Sequence, residues 1–269
     1  MKCVAAIQMA SGPNIDANLN EAARSIAAAT NAGAGLVVLP ENFALMANNE
    51  IDNVKNAEQY GQGKIQGFLA EQAKKNNVWL VGGTIPILTD NANKVRAACI
   101  VYNNEGERVA RYDKIHLFDV ELVDVDEHYT ESKIFEPGDE VVVIDSPFGK
   151  LGIAICYDLR FPELFRAMLD KGAEVFVVPS AFTAITGRAH WEIIVRARAI
   201  ENLSFVIAAA QGGYHVNGRE THGDSMIVGP WGIILDRLPQ GSGFVLAEID
   251  EERLISTRRN FPAIEHRKL

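Results

Sequence analysis

The fold is decided by a segment that occurs twice in the chain: residues 31–41 read NAGAGLVVLPE, and residues 170–180 read DKGAEVFVVPS. In each copy a proline lies seven positions after the first glycine. A glycine that closes a helical pattern tolerates the left-handed conformation of a helix C-cap, and a proline ends a buried strand. Each copy therefore predicts a helix end, a short buried strand and a turn.

The residues before the two copies also match. Residues 5–9 read AAIQM and take the place that residues 153–157, IAICY, occupy in the second copy. Two similar βαβ halves would produce this pattern, but many α/β proteins repeat such units without symmetry, so both explanations stay open at this point. No stretch has the composition of a linker, and we expect a single domain over residues 1–269.

Short apolar runs rich in Val and Ile recur along the chain and predict strands that are buried on both faces. They lie at 3–8, 35–39, 78–82, 97–102, 141–144, 151–155, 174–178, 205–210 and 244–248. Helical patterns separate several of these runs, at about 17–31, 64–76, 161–171 and 188–203. Alternating strands and helices predict an α/β fold.

Composition excludes several classes of partner. The 269 residues are 48% hydrophobic and carry a formal net charge of -9, which opposes binding to nucleic acid or anionic lipid. The longest apolar stretch, at 151–157, is too short to span a membrane, and the apolar run at 3–7 is too short for a signal peptide. We therefore expect a cytoplasmic protein whose three cysteines, an odd number, stay unpaired.

Cys156 has the most informative surroundings of the three cysteines. It closes a predicted strand and precedes Pro162, which fits the first turn of a helix. Open α/β sheets bind ligands at the carboxyl ends of their strands, where a helix N-terminus favours a thiolate and can hold an oxyanion. Cys3 and Cys99 lie inside apolar strands, so we interpret them as buried structural residues.

A nucleophilic thiol needs a base, and two side chains at predicted strand ends are candidates for the site. Glu41 directly follows an apolar strand that ends at Pro40, and Lys114 follows the strand-like run 108–113. The ordinary alternative for Glu41 is a solvated acid in a loop, and the ordinary alternative for Lys114 is a surface charge. None of the six histidines shows a metal-ligand spacing, so no metal site is expected.

Three motifs in a fixed order resemble the carbon–nitrogen hydrolase, or nitrilase, superfamily. They are LPE at 39–41, KIHLF at 114–118 and CYDLRFPE at 156–163, with further matches at 179–182 and 190–202. The resemblance covers nearly the whole chain. It implies a four-layer αββα sandwich with an internal pseudo-two-fold axis, and a catalytic triad of Glu41, Lys114 and Cys156.

The resemblance also implies the chemistry of the site. Glu41 takes the thiol proton, the Cys156 thiolate attacks an amide or nitrile carbon, and Lys114 with the backbone N–H after the cysteine stabilises the oxyanion. Ammonia leaves, and water activated by Glu41 hydrolyses the thioester. No cofactor is implied.

The superfamily uses a second glutamate between the lysine and the cysteine. Glu131, in the stretch TESK that is followed by Pro137-Gly138, matches this position best, while Glu121 and Glu127 compete with it. The ordinary alternative is a solvated acidic loop.

Further residues concern the substrate. The resemblance implies substrate-binding roles for Tyr157, Phe182 and Thr183. Arg188 departs from the family pattern, and two interpretations stay open: contact with a substrate carboxylate, or a surface charge at a helix start.

The residues after Cys156 favour the amidase branch, because the nitrilases of the superfamily usually have Trp-Glu where this chain has Tyr157-Asp158. We expect a small-molecule substrate, the primary amide of a small 2-oxo acid or 2-oxo peptide of the deaminated glutathione type, cleaved to carboxylate and ammonia through a cysteinyl thioester. The alternatives are an ω-amidase acting on 2-oxoglutaramate or 2-oxosuccinamate, and a non-catalytic dimeric scaffold.

The predicted helix at 188–203 has a second candidate role. In the superfamily such helices pack across a dimer, so we expect a homodimer or a higher homo-oligomer, with Trp191, Val195 and Leu203 as the apolar surface of the helix. The alternative, an ordinary helix that covers a sheet, fits the amphipathic pattern equally well.

Overall fold

The computed structural model describes residues 2–122 and 127–268, and strands alternate with helices in two parts of it, residues 3–81 and 151–210. The helices are α1 (Ile15–Asn31), α2 (Ile51–Lys55), α3 (Lys64–Asn76), α4 (Pro162–Asp170), α5 (Ala184–Asn202) and α6 (Glu251–Asn260). The strands are β1 (Cys3–Gln8), β2 (Leu36–Val38), β3 (Trp79–Val81), β4 (Ile85–Leu88), β5 (Val95–Tyr102), β6 (Arg108–Asp113), β7 (Asp119–Leu122), β8 (Glu127–Thr130), β9 (Val143–Ile144), β10 (Leu151–Ile153), β11 (Val175–Ser180), β12 (Phe205–Ala210), β13 (Gly212–Tyr214), β14 (Glu220–His222), β15 (Ser225–Val228), β16 (Ile234–Leu238) and β17 (Gly243–Glu248).

Two sheets of the same design form the centre of the molecule. The first has the order β17-β1-β2-β3-β5-β4, with β6 also paired to β5, and the second has the order β16-β15-β12-β11-β10-β9. In each sheet three parallel strands, β1 to β3 or β10 to β12, lie between antiparallel neighbours. The repeat in the sequence therefore corresponds to two equivalent halves, and the pseudo-two-fold prediction is confirmed in the topology.

Side chains of the central strands alternate between two apolar layers, as period-two packing requires. In β1, Val4 and Ala6 join a cluster shared with the second sheet, whereas Ala5 and Ile7 join the cluster beneath α1 and α3. Helices α4 and α5 pack on the other side of the second sheet. The layers are thus helices, sheet, sheet and helices, which confirms the predicted αββα sandwich.

Glycines end the helices that precede both copies of the repeat. Gly33 follows α1 with a φ of 107°, and Gly172 follows α4 with a φ of 89°. L-residues rarely adopt such backbone angles, so glycine suits both positions. The predicted helix ends are confirmed at these two points.

The sequence pattern missed several short elements. Helix α6 is charged on most of its surface and buries only Leu254 fully, so it lacks the apolar stripe on which helix prediction depends. Its start is nevertheless marked by Asp250, whose side chain accepts a hydrogen bond from the backbone of Arg253. The hairpins β7–β8 and β13–β14 were also missed, and both lie beside the site described below.

The prediction that Trp191, Val195 and Leu203 form the apolar dimer surface of α5 was wrong. Trp191, Val195 and Leu203 are buried against the second half of the same chain. The apolar residues that α5 exposes are Ile193 and Ile200, at 70% and 49% of their full accessibility. Apolar periodicity identifies the face that is buried first, and here that face covers the chain's own sheet. Among the described residues no helix is both long and apolar enough to cross a bilayer.

Buried polar side chains join the two halves. Gln211, directly after β12, donates from its Nε2 to the carbonyl oxygen of Glu41 at 3.0 Å and to Ser11 Oγ at 2.8 Å. Its Oε1 accepts the backbone N–H of Ser11 at 3.0 Å. Because both ends of this amide are satisfied across the interface, it fixes the end of the first half against the second.

Candidate active site

Glu41 emerges from the turn that ends the first copy of the repeat. The turn is sharp, since the next residue, Asn42, has a φ of 58° and donates its N–H to Thr84 Oγ1 at 2.8 Å. The carbonyl group of Glu41 accepts the bond from Gln211 described above. These contacts hold a buried carboxylate at the carboxyl end of β2.

Lys114 follows β6, and its backbone N–H donates to Ala97 O at 3.0 Å. Its ammonium group lies 2.9 Å from Glu41 Oε1 and 2.9 Å from each carboxylate oxygen of Glu131. The ammonium is therefore held between two carboxylates, in a position where only 2% of the residue is accessible. The ordinary alternative for Lys114, a surface charge, is excluded by this burial.

Cys156 begins a single 3-10 turn that runs from Cys156 to Arg160, three residues after β10. Its φ of 45° lies in the left-handed region, which is uncommon for a residue other than glycine. The sulfur accepts the N–H of Ala181 at 3.5 Å, and the thiol hydrogen-bonds to the Glu41 carboxylate. Helix α4 starts only at Pro162, so the 3-10 turn, and not α4, directly follows the strand end that carries the thiol.

Asp158 connects the cysteine turn to the lysine strand. One of its carboxylate oxygens accepts the hydroxyl of Tyr112 at 2.7 Å and the N–H of Ile155 at 2.8 Å. The other lies 3.1 Å from the backbone nitrogen and 2.7 Å from Nδ1 of His116. Tyr112 and His116 lie on either side of Lys114 in the sequence, so one fully buried carboxylate holds the lysine segment against the cysteine turn.

Glu131 is the glutamate between the lysine and the cysteine that reaches this site. Besides its contacts with Lys114, its Oε2 accepts the N–H of Phe118 at 2.6 Å. Glu121 lies instead on an exposed strand, next to His128. The side chain of the third candidate, Glu127, lies outside the described part of the chain. The geometry thus favours Glu131 over Glu121.

The charges of the lysine and the second glutamate depend on each other. Burial lowers the pKa of Lys114, but the charges of Glu131 and Glu41 outweigh it, so its pKa is well above the usual lysine value. Burial raises the pKa of Glu131, which the Lys114 charge opposes and the Glu41 charge reinforces. The lysine therefore stays protonated as a fixed positive charge.

The Cys156 thiol is protonated in the resting site. Burial and the negative charge of Glu41 raise its pKa well above the usual value, while Lys114 and the Ala181 N–H oppose the rise. The prediction that a helix N-terminus at this strand end favours the thiolate is therefore wrong for the resting state, because burial and the Glu41 charge outweigh the groups that lower the pKa. An adjacent carboxylate that can take the proton is the condition for forming the nucleophile.

A cavity of about 260 Å³ opens above these four side chains. Tyr157, Phe182 and Thr183, for which substrate binding was predicted, all line it. Arg188 does not, and its side chain is exposed, which leaves the surface-charge interpretation.

Two arginines that the sequence analysis did not single out, Arg160 and Arg219, line the cavity. Arg160 lies in the CYDLR motif, four residues after Cys156, and could have been found there. Arg219 lies in the turn between β13 and β14, for which the sequence offered no signal. Over residues 2–122 and 127–268, no cluster of three or more His, Cys, Asp or Glu side chains could hold a metal ion.

The family profile and the most similar relatives assign the chain to the same family. The sequence profile of the carbon–nitrogen hydrolases matches residues 3–259. The chain is 40% identical over 266 residues to a protein of Yersinia enterocolitica named deaminated glutathione amidase, covering 98% of this chain and 92% of that one. A human protein of the same name is 39% identical over 269 residues, covering 98% of this chain and 82% of its own.

Two solved structures have the same fold. The C. elegans NitFhit protein superimposes with a TM-score of 0.92 at 34% identity, and the match covers 99% of this chain and 65% of that one. This chain therefore spans about two thirds of the NitFhit protein. Nit3 of Saccharomyces cerevisiae, described as a member of branch 10 of the nitrilase superfamily, gives a TM-score of 0.89 at 32% identity and covers 100% and 97% of the two chains.

Proposed function

Since the chain belongs to the carbon–nitrogen hydrolase family, and is a hydrolase of non-peptide carbon–nitrogen bonds, we propose that it cleaves the amide of a 2-oxo dicarboxylic acid, with deaminated glutathione as its substrate. The observation that carries the proposal is the buried contact set of Cys156, Glu41, Lys114 and Glu131 at the floor of one cavity. A binding scaffold has no use for a buried thiol beside a carboxylate and an ammonium group.

In the first step Glu41 takes the proton from the Cys156 thiol while the sulfur attacks the amide carbon. The carbonyl π electrons move to oxygen, which becomes an oxyanion. The Lys114 ammonium and the backbone N–H of Tyr157, the residue after the cysteine, stabilise that charge. Since Lys114 already carries its proton, it needs no change of protonation to do so.

In the second step the carbon–nitrogen bond breaks, and the amine leaves with the proton that Glu41 returns. An acyl thioester on Cys156 remains. Glu41 then takes a proton from water, which attacks the thioester carbon, and the thiol leaves with that proton. The sum is one amide and one water converted to one carboxylic acid and one amine, with no redox change.

The leaving amine depends on the substrate. In deaminated glutathione the C5 carbonyl of a 2-oxoglutaryl unit is joined to the nitrogen of cysteinylglycine, which is a secondary amide. The leaving group from this substrate is the dipeptide, whereas the ammonia expected from the sequence analysis would come from a primary amide such as 2-oxoglutaramate. Both substrates yield 2-oxoglutarate, so release of this product is the assay that compares them.

The acyl side of such a substrate carries a carboxylate next to the 2-oxo group. Arg160 lines the cavity from the cysteine turn itself, and its guanidinium lies over the ring of Phe182 with the centroid 5.3 Å away. We assign this arginine to the 2-oxo acid carboxylate, with Phe182 and Thr183 shaping the wall beside it.

The experiment is release of 2-oxoglutarate from deaminated glutathione and from 2-oxoglutaramate, with a simple aliphatic amide and a nitrile as comparisons. We expect the highest kcat/KM for deaminated glutathione. A higher value for 2-oxoglutaramate would instead favour the ω-amidase assignment. Absence of turnover with all four compounds, together with a Cys156 that resists alkylation, would favour the scaffold.

A homodimer is part of the proposal. Helix α5 exposes Ile193 and Ile200, and Ile200 packs beside Gly232, which follows the exposed Trp231. The ring of Trp231 lies 5.2 Å from that of the exposed Phe261. Ile200 packs so closely on Gly232 that a Cβ there would lie 2.5 Å from its Cγ1. Exposed apolar side chains grouped in this way are typical of a surface that a second copy covers.

The dimer is tested by the mass in solution from light scattering. We expect twice the mass of the chain, and a monomer for the variant Ile193→Glu/Ile200→Glu, because two charges would be buried in the interface. The matched control is Val109→Glu, an exposed apolar residue of β6 away from this group. A monomeric mass for the unmodified protein would refute the dimer.

The proposal also includes a single catalytic domain over residues 1–269 and a cytoplasmic location. The family match over residues 3–259 supports the first. The second is supported by the free cysteines Cys3, Cys99 and Cys156, since a reducing compartment keeps a nucleophilic thiol active. Inactivation by a thiol oxidant, with recovery in dithiothreitol, is the expected result in vitro.

A further inference from the structure

Two arginines line the cavity without a carboxylate partner among the described residues. Arg160 lies 3.2 Å from His190 Nδ1 and over the rings of Tyr157 and Phe182. Arg219 contacts Met46 Sδ at 4.0 Å, and its buried Nε has no hydrogen-bond partner. Buried guanidinium nitrogens usually have partners. No oxygen atom of the described residues accepts a hydrogen bond from the Arg219 side chain, so its terminal nitrogens can bind a group that the cavity receives.

Elsewhere arginines of comparable burial are satisfied within the chain. Arg198 pairs with Glu201 and donates to Leu159 O, and Arg111 holds Asp113 through two nitrogens. Arg219 departs from this pattern, because no carboxylate among the described residues pairs with it. Its guanidinium therefore remains available to a ligand in the cavity.

A row of aromatic side chains connects the two arginines, and we call it the aromatic row. Arg219 lies over Tyr129 at 5.2 Å, Tyr129 packs on Phe118 at 5.0 Å, Phe118 packs on Tyr157 at 5.0 Å, and Arg160 lies over Tyr157 at 5.8 Å. The two cations thus lie at opposite ends of the aromatic row, and Arg160 lies in addition over Phe182, which is outside the row.

The centre of the aromatic row is next to the reacting groups. The N–H of Phe118 donates to Glu131, which holds Lys114. Tyr157 follows Cys156 directly in the chain. An amide carbon that Cys156 attacks would therefore lie with one arginine on the acyl side and the other on the side of the leaving amine.

Of the two proposed substrates, only the tripeptide carries a carboxylate on both sides of its scissile amide. In deaminated glutathione the glycine carboxylate lies two residues, or about 7 Å of extended chain, beyond the amide. In 2-oxoglutaramate nothing extends beyond the amide nitrogen. We propose that Arg219 binds the carboxylate of the leaving group and thereby selects a 2-oxo tripeptide over the short ω-amide. This inference rests on the proposed function and names the residue that sets its specificity.

The test compares three substrates with two variants. The substrates are deaminated glutathione, the same compound with its glycine carboxylate converted to a carboxamide, and 2-oxoglutaramate. The variants are Arg219→Met, which keeps the length and the apolar part of the side chain, and Arg188→Met, a control at an exposed arginine outside the cavity. The readouts are kcat and KM for release of 2-oxoglutarate.

For Arg219→Met we expect a fall in kcat/KM of about 10- to 100-fold with deaminated glutathione, the range for a charged hydrogen bond. The fall should lie mainly in KM, because the carboxylate is remote from the reacting carbon. Activity on 2-oxoglutaramate should stay within about twofold, and the variant should no longer distinguish the carboxylate from the carboxamide. Arg188→Met should match the unmodified enzyme.

Three results would overturn the inference. An equal loss on both natural substrates would make Arg219 a structural residue. A wild-type enzyme that accepts carboxylate and carboxamide equally would exclude a charged subsite, and this arm holds even if Arg219→Met fails to fold. Hydrolysis of 2-oxoglutaramate with none of the tripeptide would refute the specificity while leaving the amidase chemistry intact, whereas no turnover of any substrate would refute the proposed function and the inference together.

Discussion

The two halves of the molecule have the same strand pattern, yet their equivalent strand ends carry different side chains. Alignment of the repeat pairs Glu41 with Ser180, and Cys156 with Gln8. Glu41 and Cys156 face the cavity, whereas Ser180 and Gln8 are fully buried. At these equivalent positions each half thus contributes one side chain that lines the cavity and one fully buried residue, at exchanged positions.

The structural members of each pair hold the halves together. Gln8 accepts the N–H of Ser225 at 2.8 Å and donates to Gly241 O at 2.8 Å. The carbonyl of Ser180 accepts the N–H of Gln211, whose side chain in turn holds Glu41. A symmetrical fold can therefore form an active site when the acid and the thiol lie in different halves, because docking of the two halves brings them into contact.

Removal of the Cys156 thiol should have the largest effect on activity. Cys156→Ala should lower kcat by about 10⁴-fold or more, because no other group can form the acyl intermediate. Release of 2-oxoglutarate measures it, and Cys3→Ala is the matched thiol control, expected to keep full activity. Residual turnover above about one per cent in Cys156→Ala would contradict the nucleophile assignment.

The acid is the second target. Glu41→Gln should lower kcat by about 10²- to 10⁴-fold, since a base is lost. Because Glu41 raises the pKa of Cys156, its neutralisation should lower that pKa and make alkylation of the thiol by iodoacetamide at pH 7.5 faster. Ser180→Ala, the equivalent position of the other half, should change neither rate more than a few fold. Slower alkylation in Glu41→Gln would show that the carboxylate assists thiolate formation in the resting enzyme.

The second glutamate should have a smaller effect. Glu131→Gln should lower kcat by about 10²-fold, the range for a group that stabilises an oxyanion through a positioned charge. Glu131 raises the pKa of Lys114, so its neutralisation lowers that pKa, and the alkaline loss of activity should begin at lower pH. The control is Glu121→Gln, on strand β7 of the hairpin that ends directly before Glu131. A pH–kcat profile with an unmoved alkaline limb would contradict this role.

The smallest effect on kcat is expected for Asp158, which positions the lysine segment and the cysteine turn but does not take part in the proposed reaction. Asp158→Asn replaces an oxygen that accepts two hydrogen bonds, so we expect a loss of about 2 kcal/mol in the free energy of unfolding. We also expect a fall in kcat of about tenfold at constant KM, because Lys114 and Cys156 are then held less firmly. Asp170→Asn, an exposed carboxylate paired with Arg267, is the control. Urea unfolding and steady-state kinetics measure both, and a lower stability with unchanged kcat would leave Asp158 a purely structural residue.

Many of the central strands and helices could be predicted from the sequence, because short apolar runs and glycines at helix ends are visible in the local sequence. The residues Glu41, Lys114 and Cys156 could be identified by their motifs, and Glu131 by its position between them. Their pKa values could not, since these depend on burial and on charges from distant segments. Arg219 could not be found either, because its turn is close to the cavity only after the second half has folded against the first.

The contact between Gln211 and Glu41 limits how early the site can form while the chain is being synthesised. The contact of Gln211 with Glu41 joins residues 170 positions apart, and that of Lys114 with Glu41 joins residues 73 apart. Contacts so distant in sequence form late and slowly during folding. A ribosome must therefore release nearly four fifths of the chain before the acid is fixed in place. Regain of activity on refolding should lag behind regain of helix and strand, which makes catalysis a reporter of the last docking event.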